Sequence, residues 1–235
     1  KIFYNKYEIL CSDINLNNNS CEFLDFRDFN DYYEKVTQFQ PDYLFHIGAL
    51  TDLEYCETNP DEAYKTNTLS VEHASIIANE LNIPLIYIST AGIFDGKKNF
   101  YDDWDHPKPL CYYAKSKYAG EQVVERLCSK YFIFRAGWMM GGGPKIDKKF
   151  INKIYTQIQK GQKEIFVVDD KLGTPTYTVD FAKNIEIFLK TKYWGVYNMV
   201  CEDVTNRYEV CNEIIKILNL DKKIKITKVN SDYFK

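Results

Sequence analysis

Tyr113-Ala114-Lys115-Ser116-Lys117, continued by Tyr118-Ala119-Gly120-Glu121, is the stretch that organises this 235-residue chain. Tyr113 and Lys117 stand four residues apart, so on a helix they share a face. An ammonium ~5 Å from a phenol, at an effective dielectric of ~20, favours phenolate by roughly 3 kcal/mol, about two pKa units. A phenol that ordinarily titrates near ~10 then becomes a usable general acid or base. The spacing alone decides nothing: with 19 Tyr and roughly one residue in nine a Lys, about two such pentads arise by chance. The sequence around the pentad has to decide.

Upstream, Ile83-Pro84-Leu85-Ile86-Tyr87-Ile88 is a short apolar run rich in strand formers. It ends in Ser89-Thr90-Ala91-Gly92-Ile93-Phe94-Asp95-Gly96, which places a hydroxyl at the C-terminal end of a buried strand. Open α/β sheets put their chemistry there. Further strands are expected at 7–11, 20–26, 41–47, 131–136, 164–168, 195–200 and 224–229. Helices are expected at 29–39, 61–81, from Tyr113 to about Ser129, and at 148–159, 179–189 and 206–218. The alternation predicts a doubly wound parallel sheet.

Thr90, Tyr113 and Lys117, in that order and setting, resemble the extended short-chain dehydrogenase/reductases. Ser89-Thr90 with Phe94-Asp95-Gly96, Tyr113 to Glu121, Phe134-Arg135-Ala136-Gly137-Trp138 and Gly173-Thr174-Pro175-Thr176 are most similar to the dTDP-4-dehydrorhamnose reductase group. The resemblance runs from about Tyr7 to about Val229. It implies α/β architecture, a Rossmann-like sheet lacking its first βα unit, with a small C-terminal substrate-binding lobe. Residues 1–138 with about 177–200 would form the NAD(P)-binding domain. About 139–176 and 201–235 would form the lobe.

The resemblance also implies the chemistry. NAD(P)H would deliver hydride to the keto group of a nucleotide-linked deoxysugar, in the making of polysaccharide precursors. Thr90, Tyr113 and Lys117 would be catalytic. Asp13, Asp25, Phe26, Gly48, Ala49, Thr51, Asn67, Tyr113 and Lys117 would hold the cofactor. Thr90, Ala91, Trp138 and Thr176 would meet the substrate, and a homodimer is an allowed assembly. An acidic residue closing the second strand can accept from the adenosine ribose, so Asp13 tilts the choice toward NAD, although an ordinary loop aspartate reads the same. Small residues at Gly48-Ala49 would let the backbone approach a ligand. Asn67 reads equally as a solvated helix residue.

Ala91-Gly92 stand where dehydratase relatives carry an acid pair and the reductase group usually carries Asp-Tyr. That argues against loss of water, keeps an epimerase open, and leaves the sugar undetermined. A non-catalytic alternative is a binding subunit like the regulatory one of methionine adenosyltransferase. The chain opens at Lys1 and its eleven glycines hold no G-x-x-G-x-x-G. A first strand and Gly-rich turn are therefore expected upstream, and a continuation beyond the C-terminus.

A net charge of −3 gives no reason to expect nucleic acid or an anionic membrane as partner. No apolar run approaches the ~20 residues of a spanning helix. Seven scattered Cys without a Cys-x-x-Cys predict neither a disulfide framework nor a zinc site, and fit a reducing cytoplasm. His46, His73 and His106 show no ligand spacing, so no metal is expected.

Overall fold

The computed structural model describes residues 2–16, 21–143, 147 and 149–234. In chain order the elements are β1 (Ser12–Asp13), β2 (Glu22–Phe23), α1 (Phe29–Phe39), β3 (Leu44–His46), α2 (Leu53–Thr58), α3 (Pro60–Tyr64), a π-helical turn (Lys65–Leu69), α4 (Ser70–Glu80), β4 (Leu85–Thr90) and α5 (Tyr112–Leu127). They continue with β5 (Tyr131–Ala136), β6 (Trp138–Met140), α6 (Phe150–Gln159), β7 (Glu164–Val168), β8 (Leu172–Gly173), β9 (Pro175–Tyr177), α7 (Thr178–Leu189), β10 (Gly195–Met199), β11 (Thr205–Asn206), α8 (Arg207–Ile217) and β12 (Lys225–Val229). No helix among the described residues is long and apolar enough to cross a membrane.

Contacts divide the chain into two compact units, residues 1–136 with 186–199, and residues 137–185 with 200–235. The first half of α7, placed with the cofactor domain on sequence grounds, groups with the second unit. The first unit is a parallel sheet in the order β10-β5-β4-β3. Side chains alternate across it, as strand periodicity requires. Leu85, Tyr87 and Ile133 face a core with Val36, Val71, Ala74, Ile77 and Val124. Phe132 and Phe134 instead meet Phe188, at ring-centroid distances of 5.6 and 5.1 Å. Burial on both faces explains why these strands read as unbroken apolar runs. The second unit carries three two-stranded ladders, β12-β7, β6-β9 and β11-β8. Ile154, Ile165, Val167, Cys211 and Ile215 form its core.

Three readings of the sequence need correction. The run 7–11 is not a strand: the ladder begins only at Ser12, where β1 pairs in parallel with β2. Ahead of it the chain makes a turn, closed by Lys6 and Tyr7 N–H groups on the Phe3 carbonyl. That parallel register sets Cys11 opposite Cys21, and the two form a disulfide with Cα atoms 4.6 Å apart. A count of scattered cysteines could not see this, because the pairing comes from strand register. Finally, 61–81 is not a uniform helix but α3, the π turn and α4 run together. Ser20 and Lys148, which open the stretches 20–26 and 148–159, lie outside the described residues.

Candidate active site

β4 ends at Thr90, and the chain turns at once into a short 3₁₀ turn, Ala91–Ile93. The Gly92 N–H donates to Thr90 Oγ1 over 3.0 Å, which orients the hydroxyl. The Thr90 hydroxyl stands close enough to the Tyr113 phenol to lower its pKa. Tyr113 sits in the first turn of α5, with Lys117 one turn on. The first turn has no cap from its own N-cap residue, Cys111. Glu57 on α2 supplies one instead, accepting the Tyr112 N–H at 2.6 Å. These three side chains are thus brought together within the first unit, with Ala91 beside Thr90.

The electrostatics differ from the expectation that Lys117 lowers the Tyr113 pKa. Burial pushes the phenol up to about 12, and the Thr90 hydroxyl is what draws it down. Lys117 is 2% exposed, and burial brings its ammonium down to about 7 against a smaller pull from Glu121. Burial thus weakens the positive charge that Lys117 brings to bear on the phenol. Tyr113 is a protonated phenol at neutral pH, which suits it to donating a proton.

Asn67 lies in the π turn, fully buried. Its Oδ1 accepts the Leu50 N–H (2.8 Å), and its Nδ2 donates to Leu50 O (3.0 Å) and Ser116 Oγ (3.0 Å). It is not a solvated helix residue. It fastens the 48–51 segment to the helix that carries Tyr113. Gly120 permits the same closeness: a Cβ there would lie 2.6 Å from Tyr87 Oη and 2.8 Å from Asn67 O.

The adenosine-side candidates form a second group. Asp13 closes β1, exposed, accepting the Asn15 N–H at 2.8 Å. Asp25 is bound twice over by Arg27, with Nη2 at 2.7 Å and Nε at 2.8 Å, which holds its carboxyl below the usual range. Phe26 packs edge-on to His46, ring centroids 5.0 Å apart. The missing Cβ of Gly48 is needed for that ring, since it would fall 2.1 Å from Phe26 Cε1. Gly48 is small for Phe26, a physical reason different from ligand approach. Ala49 follows it half-buried, and Thr51 is exposed just before α2. In the second unit, Trp138 and Thr176 stand on paired strands, Trp138 opposite Pro175 and Met139 opposite Thr176. Thr176 is buried, and the Gly173 backbone packs on the Trp138 indole.

Residue-by-residue reading missed a buried set behind these groups. Arg135 pairs with Glu121, Nη2 to Oε2 at 2.8 Å, their side chains 6% and 1% exposed. Glu121 belongs to the quoted stretch, and its helical position one turn past Lys117 was the available signal. Tyr87 is fully buried under Lys117. A tyrosine in a strand otherwise apolar was its signal, since a buried hydroxyl needs a partner. His46 is buried too: Ser70 gives its proton to Thr66 O, so Nε2–H donates to Ser70 Oγ (3.1 Å) and Nδ1 accepts from Tyr32 (3.2 Å). That neutral tautomer agrees with a pKa pushed down to about 3 by burial.

The profile of the RmlD substrate binding domain matches residues 9–234. The chain belongs to this family. It is similar to a dTDP-4-dehydrorhamnose reductase of known structure from Yersinia enterocolitica, at 32% identity over 90% of this chain and 74% of that one, with a TM-score of 0.83. The reductase from Bacillus anthracis, solved in complex with NADP, is 28% identical over 93% and 79% of the two chains, TM-score 0.84. Methionine adenosyltransferase 2 subunit beta from Danio rerio is 26% identical over 79% of this chain and 58% of its own length. The chain spans about two thirds of the length of the first curated relatives it matches. RmlD-type membership thus rests on nearly the whole chain described above.

Proposed function

We propose that the protein reduces the keto group of a nucleotide-linked deoxysugar with NAD(P)H. The observation that carries this is the placing of the Thr90 and Tyr113 hydroxyls together at the C-terminal end of β4, with Lys117 one helical turn on. The family relatives named as reductases support it.

The residues fit the nicotinamide half of such a cofactor. Among the described residues, Lys117 Nζ makes no hydrogen bond or ion pair, and it lies 4.2 Å from the centre of the Tyr87 ring. A buried ammonium lacking acceptors is matched by the vicinal hydroxyls of a ribose. Asp13 is the better ribose acceptor on the adenosine side, because Asp25 is already paired with Arg27. Phe26, Ala49, Thr51 and Asn67 are assigned to the same binding, Asn67 through the backbone it holds. Bound there, the cofactor supplies hydride to the carbonyl carbon.

The chain's own groups handle the oxygen. As charge develops on it, Thr90 donates a hydrogen bond and Tyr113 transfers its proton, so the alkoxide is never released free. Gly92 N–H orients the Thr90 oxygen, and with substrate bound the Thr90 proton is given to the substrate oxygen. Ala91 and Gly92 carry no group that transfers protons, so elimination of water lacks its acid and base. Trp138 and Thr176 are proposed to border the sugar.

Incubation with NADPH and dTDP-4-keto-6-deoxy sugars tests this. The expected result is oxidation of NADPH and a product heavier by two hydrogens, without loss of water. No turnover on any keto-sugar, together with tight binding of another protein, would instead favour a regulatory subunit, the reading its Danio rerio relative supports.

A further inference from the structure

Lys117 poses a question that the catalytic assignment leaves open: what holds an ammonium in so dry a place. The groups facing it come from four elements. On its own helix are Tyr113 and Glu121; His46 comes from β3, Tyr87 from β4, and Arg135 from β5 through Glu121. His46 and Tyr113 are neutral at pH 7. Glu121 is engaged by Arg135, with three contacts of 2.8–3.2 Å. That leaves the Tyr87 ring, whose centroid lies 4.2 Å from Nζ. Desolvated cations over an aromatic face are among the stronger interactions of this type.

The ring is fixed for the purpose. Tyr87 is wholly buried, and its hydroxyl shares its proton between Lys117 O (3.2 Å) and Asn67 O (3.4 Å). The second contact requires Gly120, whose Cβ would strike the hydroxyl. The hydroxyl therefore ties strand to helix, while the π face takes the side chain of the residue whose carbonyl it holds. We infer that the aromatic face of Tyr87 holds the Lys117 side chain in place and favours its charged form, making Tyr87 a positioning residue of the site. Its functional consequence rests on the reductase reading; the interaction itself does not.

The test is a direct NMR titration of the Lys117 side chain, assigned with Lys117→Arg, which needs neither cofactor nor turnover. Tyr87→Phe keeps the face and should leave the Lys117 pKa nearly unmoved. A singly fluorinated phenylalanine, then pentafluorophenylalanine, at position 87 drains the face at nearly constant volume. The Lys117 pKa should fall stepwise across this series, by about one unit or more at the end. If a Tyr87→Leu variant fails to fold, the fluorinated series still reads the interaction. A flat pKa across the series overturns the inference, whatever the enzyme assays show. A falling pKa in a protein without reductase activity upholds the inference and removes only the functional reading.

Discussion

The two ends of the first unit are built on different principles. Around β4 and α5, long elements bury polar groups and pair several of them: Glu121 with Arg135, Asn67 with Leu50 and Ser116, Lys117 with Tyr87, while Ser89 Oγ on β4 is buried without a partner among the described residues. Around β1 and β2, two-residue strands lie exposed. There the ties are the Cys11–Cys21 disulfide and surface pairs such as Lys35–Glu22 at 2.5 Å. The first end is held by buried pairings between long elements. The second depends on a covalent link and on interactions that water weakens. Residues proposed to move a proton sit at the first end, and residues proposed to hold adenosine sit at the second.

The contrast is broken most sharply at Glu121. Glu121→Ala should cost about 3–5 kcal/mol in denaturant unfolding, because Arg135 is left buried and unpaired. Replacing both by Leu and Met should cost far less. A cost under about 1 kcal/mol for Glu121→Ala would mean that the buried end is not held as described.

Lys117 gives a smaller effect with a definite pH signature. Its pKa falls from the ordinary 10.5 to about 7 in the folded chain. Between those values the unfolded chain binds a proton that the folded chain has released. Stability should therefore rise with pH across that window, with the penalty fully present below it. Lys117→Met should raise stability by a few kcal/mol at and below neutral pH, with the gain shrinking as pH approaches 10.5. Thermal midpoints at several pH values would show it; a gain independent of pH would contradict it.

At the exposed end, reducing Cys11–Cys21 should cost at most about 3 kcal/mol, the loop-entropy value for so short a loop. Hydrogen exchange should quicken in β1 and β2 and leave α5 unaltered. Loss of protection in α5 would show that the two ends are coupled.

The same contrast governs what the sequence disclosed. β4, β5, β7, β10 and β12 with α1, α6 and α8 were legible to within one or two residues, because burial on one or two faces leaves a periodic pattern, whereas β3, read as 41–47, is only Leu44–His46. Asn206 even supplies the expected cap, with its capping box to Glu209. Thr90, Tyr113 and Lys117 were legible because a dense local motif names them. What was not legible depends on distance in the chain. Cys11–Cys21 follows from strand register, the Phe26 ring against Gly48 from tertiary packing, and the Lys117 pKa from burial that no spacing expresses. The expected help from Lys117 to Tyr113 failed for that last reason: four-residue spacing sets proximity but not dielectric.

The most direct test of the central claim is Tyr113→Phe, assayed by single-turnover NADPH oxidation alongside NADPH affinity. The substitution removes one oxygen while keeping the ring. Turnover should fall by at least ~10² with cofactor affinity changed far less, since a proton donor is lost and a binding surface is not. Near-full turnover in Tyr113→Phe would show that another group protonates the substrate oxygen, and the assignment of this site would fall.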